Sequence, residues 1–161
     1  MKKKSTVAVV IVLAVLAAGV AVLAVFNGRD AAEKKRRLSD EYFLIVAGET
    51  EHRVTMEDIE ALGPREIEAN YKKSGKDPEM RYYTGVPFAA VLRLKEIDAE
   101  GLSSAVFSAA DSYSSILSME DALGECYIAI DAGSDGPFRM ILPKAQFSQG
   151  WCKMLTDVHL R

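Results

Sequence analysis

The chain has 161 residues, 49% of them hydrophobic, and a net charge of −3. The charge is uneven: from residue 38 onward there are 12 Lys+Arg against 21 Asp+Glu, a net of −9, whereas eight basic residues lie in the first 37. About 124 residues suffice for one domain with a single core, and so acidic a domain repels phosphate backbones, which excludes nucleic acid as its partner.

The first predicted element is a membrane helix. From Val7 to Phe26 run 20 residues without a charged or strongly polar side chain, preceded by Lys2, Lys3 and Lys4. At 1.5 Å per residue a helix of that length covers about 30 Å, the thickness of a hydrocarbon core. A signal peptide shares the basic start, but its apolar region is usually about 7–15 residues, and Val22-Leu23-Ala24 is followed by more apolar chain. Residues 1–27 are therefore expected to be an anchor (or signal sequence), 28–39 a basic juxtamembrane linker and 40–161 the domain. Arg29 and Lys34 to Arg37 favour the downstream side as cytoplasmic on a bare count of positive charge. Three lysines before the span, and a downstream cluster that begins only at Lys34, favour the opposite: N-terminus inside, domain extracytoplasmic. A chain starting near residue 38 is expected to fold alone.

Within the domain, Tyr42 to Ala47 (YFLIVA) is a continuous apolar run that suits a strand buried on both faces. Thr55, with Asp58 three residues on, is an acidic capping box that starts a short helix at Met56, and Gly63-Pro64 stops it. Ile67, Ala69 and Tyr71 alternate with polar residues, the pattern of a strand with one wet face. SGKDPE reads as a turn. Pro87 opens a helix with Phe88, Val91 and Leu92 on one stripe. Strands follow at 105–108 and 114–117, then a capped turn from Ser118 to Asp121. Two further strands, 127–130 and 138–142, are joined by a Gly133–Pro137 turn. Gln146 to Leu155 reads as a helix that stacks Trp151 with Phe147 and Met154 or Leu155, a structural role for the indole. Val158 to Leu160 ends the chain as a strand. Short strands interleaved with short helices give an α+β class with mixed β-sheets rather than a doubly wound sheet. No Walker loop, GxGxxG, HExxH or GxSxG occurs.

Four ordered segments carry a family resemblance: Tyr83-Thr84-Gly85-Val86-Pro87, Ala110-Asp111-Ser112-Tyr113-Ser114, Gly136-Pro137-Phe138-Arg139 with its closing Pro143, and Lys153-Met154-Leu155. Together they resemble the molybdopterin-binding domain of the sulfite oxidase family. The resemblance implies that fold, and Thr84, Gly85, Asp111, Ser112, Tyr113, Arg139 and Lys153 as cofactor-pocket residues, with Arg139 and Lys153 converging near the pterin phosphate. Molybdopterin is then the possible cofactor. Read on its own chemistry, Asp111 suits an Asx-turn that holds its loop, and Arg139 suits an ion pair with a domain carboxylate. Ser112 stands where the family carries glycine, so a positive φ there would strain it.

Two departures weaken the implied reaction. The family's molybdenum ligand is a cysteine, and no cysteine occurs before Cys126. The stretch between Gly133 and Gly136 is too short for the family's histidine-containing segment. Cys126 and Cys152 suit either a disulfide or two buried free thiols. The expected function is a membrane-tethered, accessory module that binds a small anionic ligand or an envelope protein, with a molybdopterin-dependent oxidoreductase as the alternative.

Overall fold

The computed structural model describes residues 2–72, 75–130, 133 and 136–161. Ser74 of the SGKDPE turn, and Ser134 and Asp135 of the Gly133–Pro137 turn, lie outside the described residues. The chain forms two units, residues 1–35 and 36–161.

Helix α1 (Lys2–Ser39) contains the whole predicted span and runs on through the predicted linker. It is long and apolar enough to cross a membrane, and its described apolar side chains from Ile11 to Val25 are exposed. Arg37, whose guanidinium makes a buried ion pair with Asp157, belongs to the second unit.

The domain is built on two sheets. The strands are β1 (Tyr42–Ala47), β2 (Thr50–Thr55), β3 (Arg65–Tyr71), β4 (Glu79–Pro87), β5 (Ser104–Ala109), β6 (Ser114–Ser118), β7 (Tyr127–Ala129), β8 (Arg139–Ile141) and β9 (Leu155–Leu160). One sheet has the order β2-β1-β9-β5-β6 and is mixed, since β1 and β9 are parallel. The other, β3-β4-β7-β8, is antiparallel throughout. Three short helices fill the crossings: α2 (Met56–Ala61), α3 (Phe88–Leu94) and α4 (Met119–Gly124).

Local chemistry explains most starts. Thr55 accepts from the Asp58 N–H while Asp58 accepts from the Thr55 N–H, the full reciprocal cap of α2. Ser118 caps α4 through the Asp121 N–H. Pro87 stands just before α3, whose Phe88, Val91 and Leu92 are buried. Gly48, at φ +62, makes the tight turn between β1 and β2.

Two strands lie outside the sequence reading, and one reading is corrected. β2 was not anticipated, because Glu51, His52 and Arg53 belong to an exposed edge rather than a core stripe. The Tyr83–Pro87 segment is the end of a nine-residue strand. Gln146 to Leu155 is not a helix: one 3-10 turn at Ser148–Gly150 gives way to extended chain at Trp151. Cys152 exchanges main-chain hydrogen bonds with Met140 at 2.8 and 3.1 Å, and Met154 adopts φ +47. Sheet hydrogen bonds to β8 thus override a stripe that only happened to match helical spacing.

The main core lies between the sheets and collects Phe43, Ile45, Phe88, Phe107, Phe138 and Leu155. A smaller core forms on the other face of the second sheet from Ala69, Tyr71, Tyr83, Ala129, Ile141 and Trp151. The Asn70 N–H reaches the Pro143 carbonyl at 3.2 Å, which curls that sheet over the small core. Both cysteines are free and buried in the main core.

Candidate functional site

A cleft of about 420 Å³ opens beside the small core, lined by Tyr71, Asp111, Tyr113, Ser148–Gln149, Trp151 and Lys153. Four separate segments build it. Tyr71 is the last residue of β3, and Asp111 and Tyr113 stand on the β5–β6 turn. Ser148 and Gln149 form the 3-10 turn, and Trp151 and Lys153 lie on the extended run into β9.

The turn is held from several sides. A register shift between Ser108 and Ala109 marks where β5 leaves β9. Ala110 N–H then bonds the Met154 carbonyl at 3.0 Å, and Thr156 Oγ1 donates to the Ser108 carbonyl at 3.2 Å. Asp111 Oδ1 accepts from the Tyr113 N–H at 3.1 Å, the Asx-turn read from the sequence. Ser112 takes φ +69, the left-handed conformation for which glycine is suited and serine strained. Tyr113 Oη donates to the Gln149 carbonyl at 2.6 Å, and Ser115 Oγ to the Gly150 carbonyl at 2.7 Å, so β6 and the 3-10 turn are tied together. Burial, and then Cys152, push the Tyr113 phenol above its ordinary value.

The aromatic wall is rigid. Trp151 is 3% exposed, donates Nε1–H to the Leu142 carbonyl at 3.2 Å, and meets the rings of Tyr71 and Tyr83 at 5.8 and 5.6 Å. Arg81 lies over the outer face of Tyr71 at 3.8 Å. Ser148 anchors the cleft floor through Oγ and N–H bonds to the Lys72 carbonyl.

The residues implied by the resemblance fall into three places. Asp111, Tyr113 and Lys153 line the cleft, with Ser112 between the first two in the turn. Arg139 is not on the cleft lining: it is 4% exposed on β8 and donates to the Tyr83 hydroxyl at 3.2 Å. It braces the wall through Tyr83, whose hydroxyl and ring it meets. Thr84 and Gly85 lie within β4; the Thr84 carbonyl accepts from the Ile130 N–H at 2.9 Å. Gly85 leaves room for the Ile128 carbonyl, which a Cβ would strike, and it lines a different cleft of about 560 Å³ with Arg65, Glu68 and Lys144. Sequence reasoning did not bring Tyr71, Ser148 or Gln149 to the cleft, and it gave Trp151 a structural role only.

Among the described residues no cysteine lines the cleft. Cys152 sits between Trp151 and Lys153 in sequence, yet its side chain is fully buried in the main core. Burial, then the carboxylates of Asp111 and Asp157, push its thiol up to about 12. Burial raises Cys126 as well. Among the described residues no group of three or more His, Cys, Asp or Glu is placed to hold a metal ion.

The sequence matches no protein-family profile and no curated protein. Among solved structures it is similar to the sulfane dehydrogenase SoxCD from Paracoccus pantotrophus, with a TM-score of 0.61 at 17% identity. The likeness covers 76% of this chain and 38% of that one. It shows the fold: α+β, with two sheets and short helices, like that part of the sulfane dehydrogenase. The chain spans well under half the length of the dehydrogenase chain it resembles.

Proposed function

We propose that this protein is a membrane-tethered binding module of the cell envelope, built on a sulfite oxidase-type fold without molybdenum chemistry. In this reading α1 stays in the bilayer with its N-terminus cytoplasmic, and the domain is extracytoplasmic. The cleft takes a small anionic ligand, or an acidic group of an envelope protein, at Lys153 and against Tyr71 and Trp151.

The observation that carries the reading is the placement of sulfur. The lining carries Lys153, Asp111 and aromatic side chains, while both cysteines are buried in the main core. Molybdopterin would find partial complementarity: Lys153 suits a phosphate, and aromatic rings suit a pterin. No cysteine lines the cleft, its one carboxylate, Asp111, is engaged in the Asx-turn, and a metal without the family's thiolate has lost that direct control of its electronics. Of the seven residues the resemblance implied, Asp111, Ser112, Tyr113 and Lys153 belong to this reading as cleft groups. Thr84, Gly85 and Arg139 belong to it as scaffold.

A molybdopterin-dependent oxidoreductase is the second reading, favoured by the likeness to a dehydrogenase. Metal analysis decides between the two. The full chain, made in a host that synthesises molybdopterin and purified in detergent, is expected to contain no stoichiometric molybdenum and to release no fluorescent pterin on oxidation. One molybdenum per chain would overturn the proposal in favour of the enzyme.

A further inference from the structure

The five-stranded sheet has two edges of opposite chemistry. β2 closes one side with Glu51, His52 and Arg53, and charged side chains of this kind guard an edge against strand pairing. β6 closes the other side with Ser114-Ser115-Ile116-Leu117-Ser118, which has no charge and no proline, and its pairing with β5 is regular, without a bulge. Ile116 is 69% exposed.

The hydrogen-bond phase of this edge follows from its flanks. Ala109 N–H bonds the Tyr113 carbonyl at 2.9 Å, and Met119 N–H bonds the Ser103 carbonyl at 3.1 Å. Antiparallel ladders bond at every second residue, so Ser115 and Leu117 turn their main-chain groups to β5. Ser114 and Ile116 then present N–H and C=O to the open edge, and Ser118 its N–H, its carbonyl being taken up by the first turn of α4. Ser115 Oγ points inward to the Gly150 carbonyl, so the side chains of Ser114, Ile116 and Ser118 share the outer face, where all three are exposed.

We propose that β6 is a self-association strand, through which two copies of this chain pair antiparallel about a twofold axis at Ile116. The edge-facing set Ser-Ile-Ser reads the same in both directions. A twofold therefore sets Ile116 against Ile116 of the second copy and Ser114 against Ser118; Ile116 exchanges both main-chain bonds with its counterpart, and the Ser118 N–H meets the Ser114 carbonyl. Isoleucine meets isoleucine, a favourable cross-strand pair, while the hydroxyls of Ser114 and Ser118 keep their bonds to Ser108 and Asp121. Symmetry of this kind is what an isologous interface requires, and an unrelated strand would not. The contact joins the two five-stranded sheets into one. A single strand pair lies below the area of a stable soluble dimer, so the pairing depends on local concentration, which two anchors in one bilayer provide.

Cysteine cross-linking of the full chain in phospholipid vesicles tests this. Cys126 and Cys152 are buried and silent. Under mild oxidation Ile116→Cys is expected to give a covalent dimer, whereas Tyr82→Cys, of similar exposure at 60%, is not. A mixture of Ser114→Cys and Ser118→Cys chains cross-links in excess of Ser114→Cys alone, as the twofold register demands. Adding Ile116→Lys to the mixed pair sets like charges opposite each other and abolishes that cross-link. The proposal is overturned if Ile116→Cys dimerises no more than Tyr82→Cys, or if Ser114→Cys alone cross-links as well as the mixture.

Discussion

The two cores of the domain bury their side chains by different means. The larger is held by shape: Phe43 meets Phe138, and Phe88 meets Phe107, each pair edge to face at 5.1 Å. The smaller is held by shape and by partners. Its indole N–H and one of its phenols each have a fixed bond, and a guanidinium is buried against it. A core of the first kind sets stability and tolerates any neighbour of similar volume. A core of the second kind fixes orientation, because a misplaced ring loses a hydrogen bond as well as contact. The cleft adjoins the second kind.

The largest test of this contrast pairs Phe107→Ala with Trp151→Ala. Each is expected to cost about 3–5 kcal/mol in denaturant unfolding, since both rings are buried. They differ in what else changes. Trp151 is the single tryptophan, and in the parent chain and in Phe107→Ala its fluorescence should resist acrylamide. A freely quenched indole in the parent would refute the rigid wall. Next in size is Tyr83→Phe, which leaves the Arg139 guanidinium buried with one acceptor fewer and should cost about 1–3 kcal/mol. A Tyr83→Phe chain as stable as the parent would show that the small core does not depend on this bond.

Away from both cores, Asp58→Asn should cost about 1 kcal/mol by breaking the cap of α2. The Asp58 carboxyl is partly desolvated, which raises it. Lys95 at 2.6 Å and the Thr55 N–H and hydroxyl outweigh that and hold it below its ordinary 3.8. A depressed folded value means that the stabilisation is full above 3.8 and fades as pH falls through the lower folded value. The difference between Asp58→Asn and the parent should therefore be seen at pH 7 and shrink at pH 3. The smallest effect is Ser112→Gly. Relief of the left-handed conformation is partly offset by the freer unfolded chain, leaving a gain of about 0.5 kcal/mol. A loss of stability there would show that the Asx-turn needs the serine.

Much of the fold could be read from sequence where local chemistry and tertiary need agree. YFLIVA is β1 because every position is apolar, and Thr55 and Ser118 cap helices because nothing competes for their hydroxyls. Reading failed where partners far along the chain decide. Trp151, Cys152 and Leu155 carry helical spacing, but Met140, Leu142 and Phe138 hold them extended through main-chain and indole bonds. The cleft shows the same division. Asp111, Tyr113 and Lys153 were reachable through a resemblance, and the strain at Ser112 through its departure from glycine. Tyr71 and Ser148 sit 77 residues apart and come together through the Lys72 carbonyl, a bond to which no sequence pattern points.

The ion pair between Arg37 and Asp157 also governs how the domain can be shed. A trypsin-like protease must draw a basic side chain into its own pocket, and the Arg37 guanidinium is already committed inside the fold. Arg36 next to it is largely exposed, with only Asp40 at 3.3 Å. Cleavage that frees the domain should thus fall at Lys35 or Arg36, and the released fragment keeps Arg37 as its first or second residue. Removing that arginine as well would strand a buried carboxylate at a cost of about 3–5 kcal/mol. Mass spectrometry of a limited digest would show where the cut falls, and a dominant fragment beginning at Leu38 would count against it. Release of the domain and its integrity are then separated by a single peptide bond.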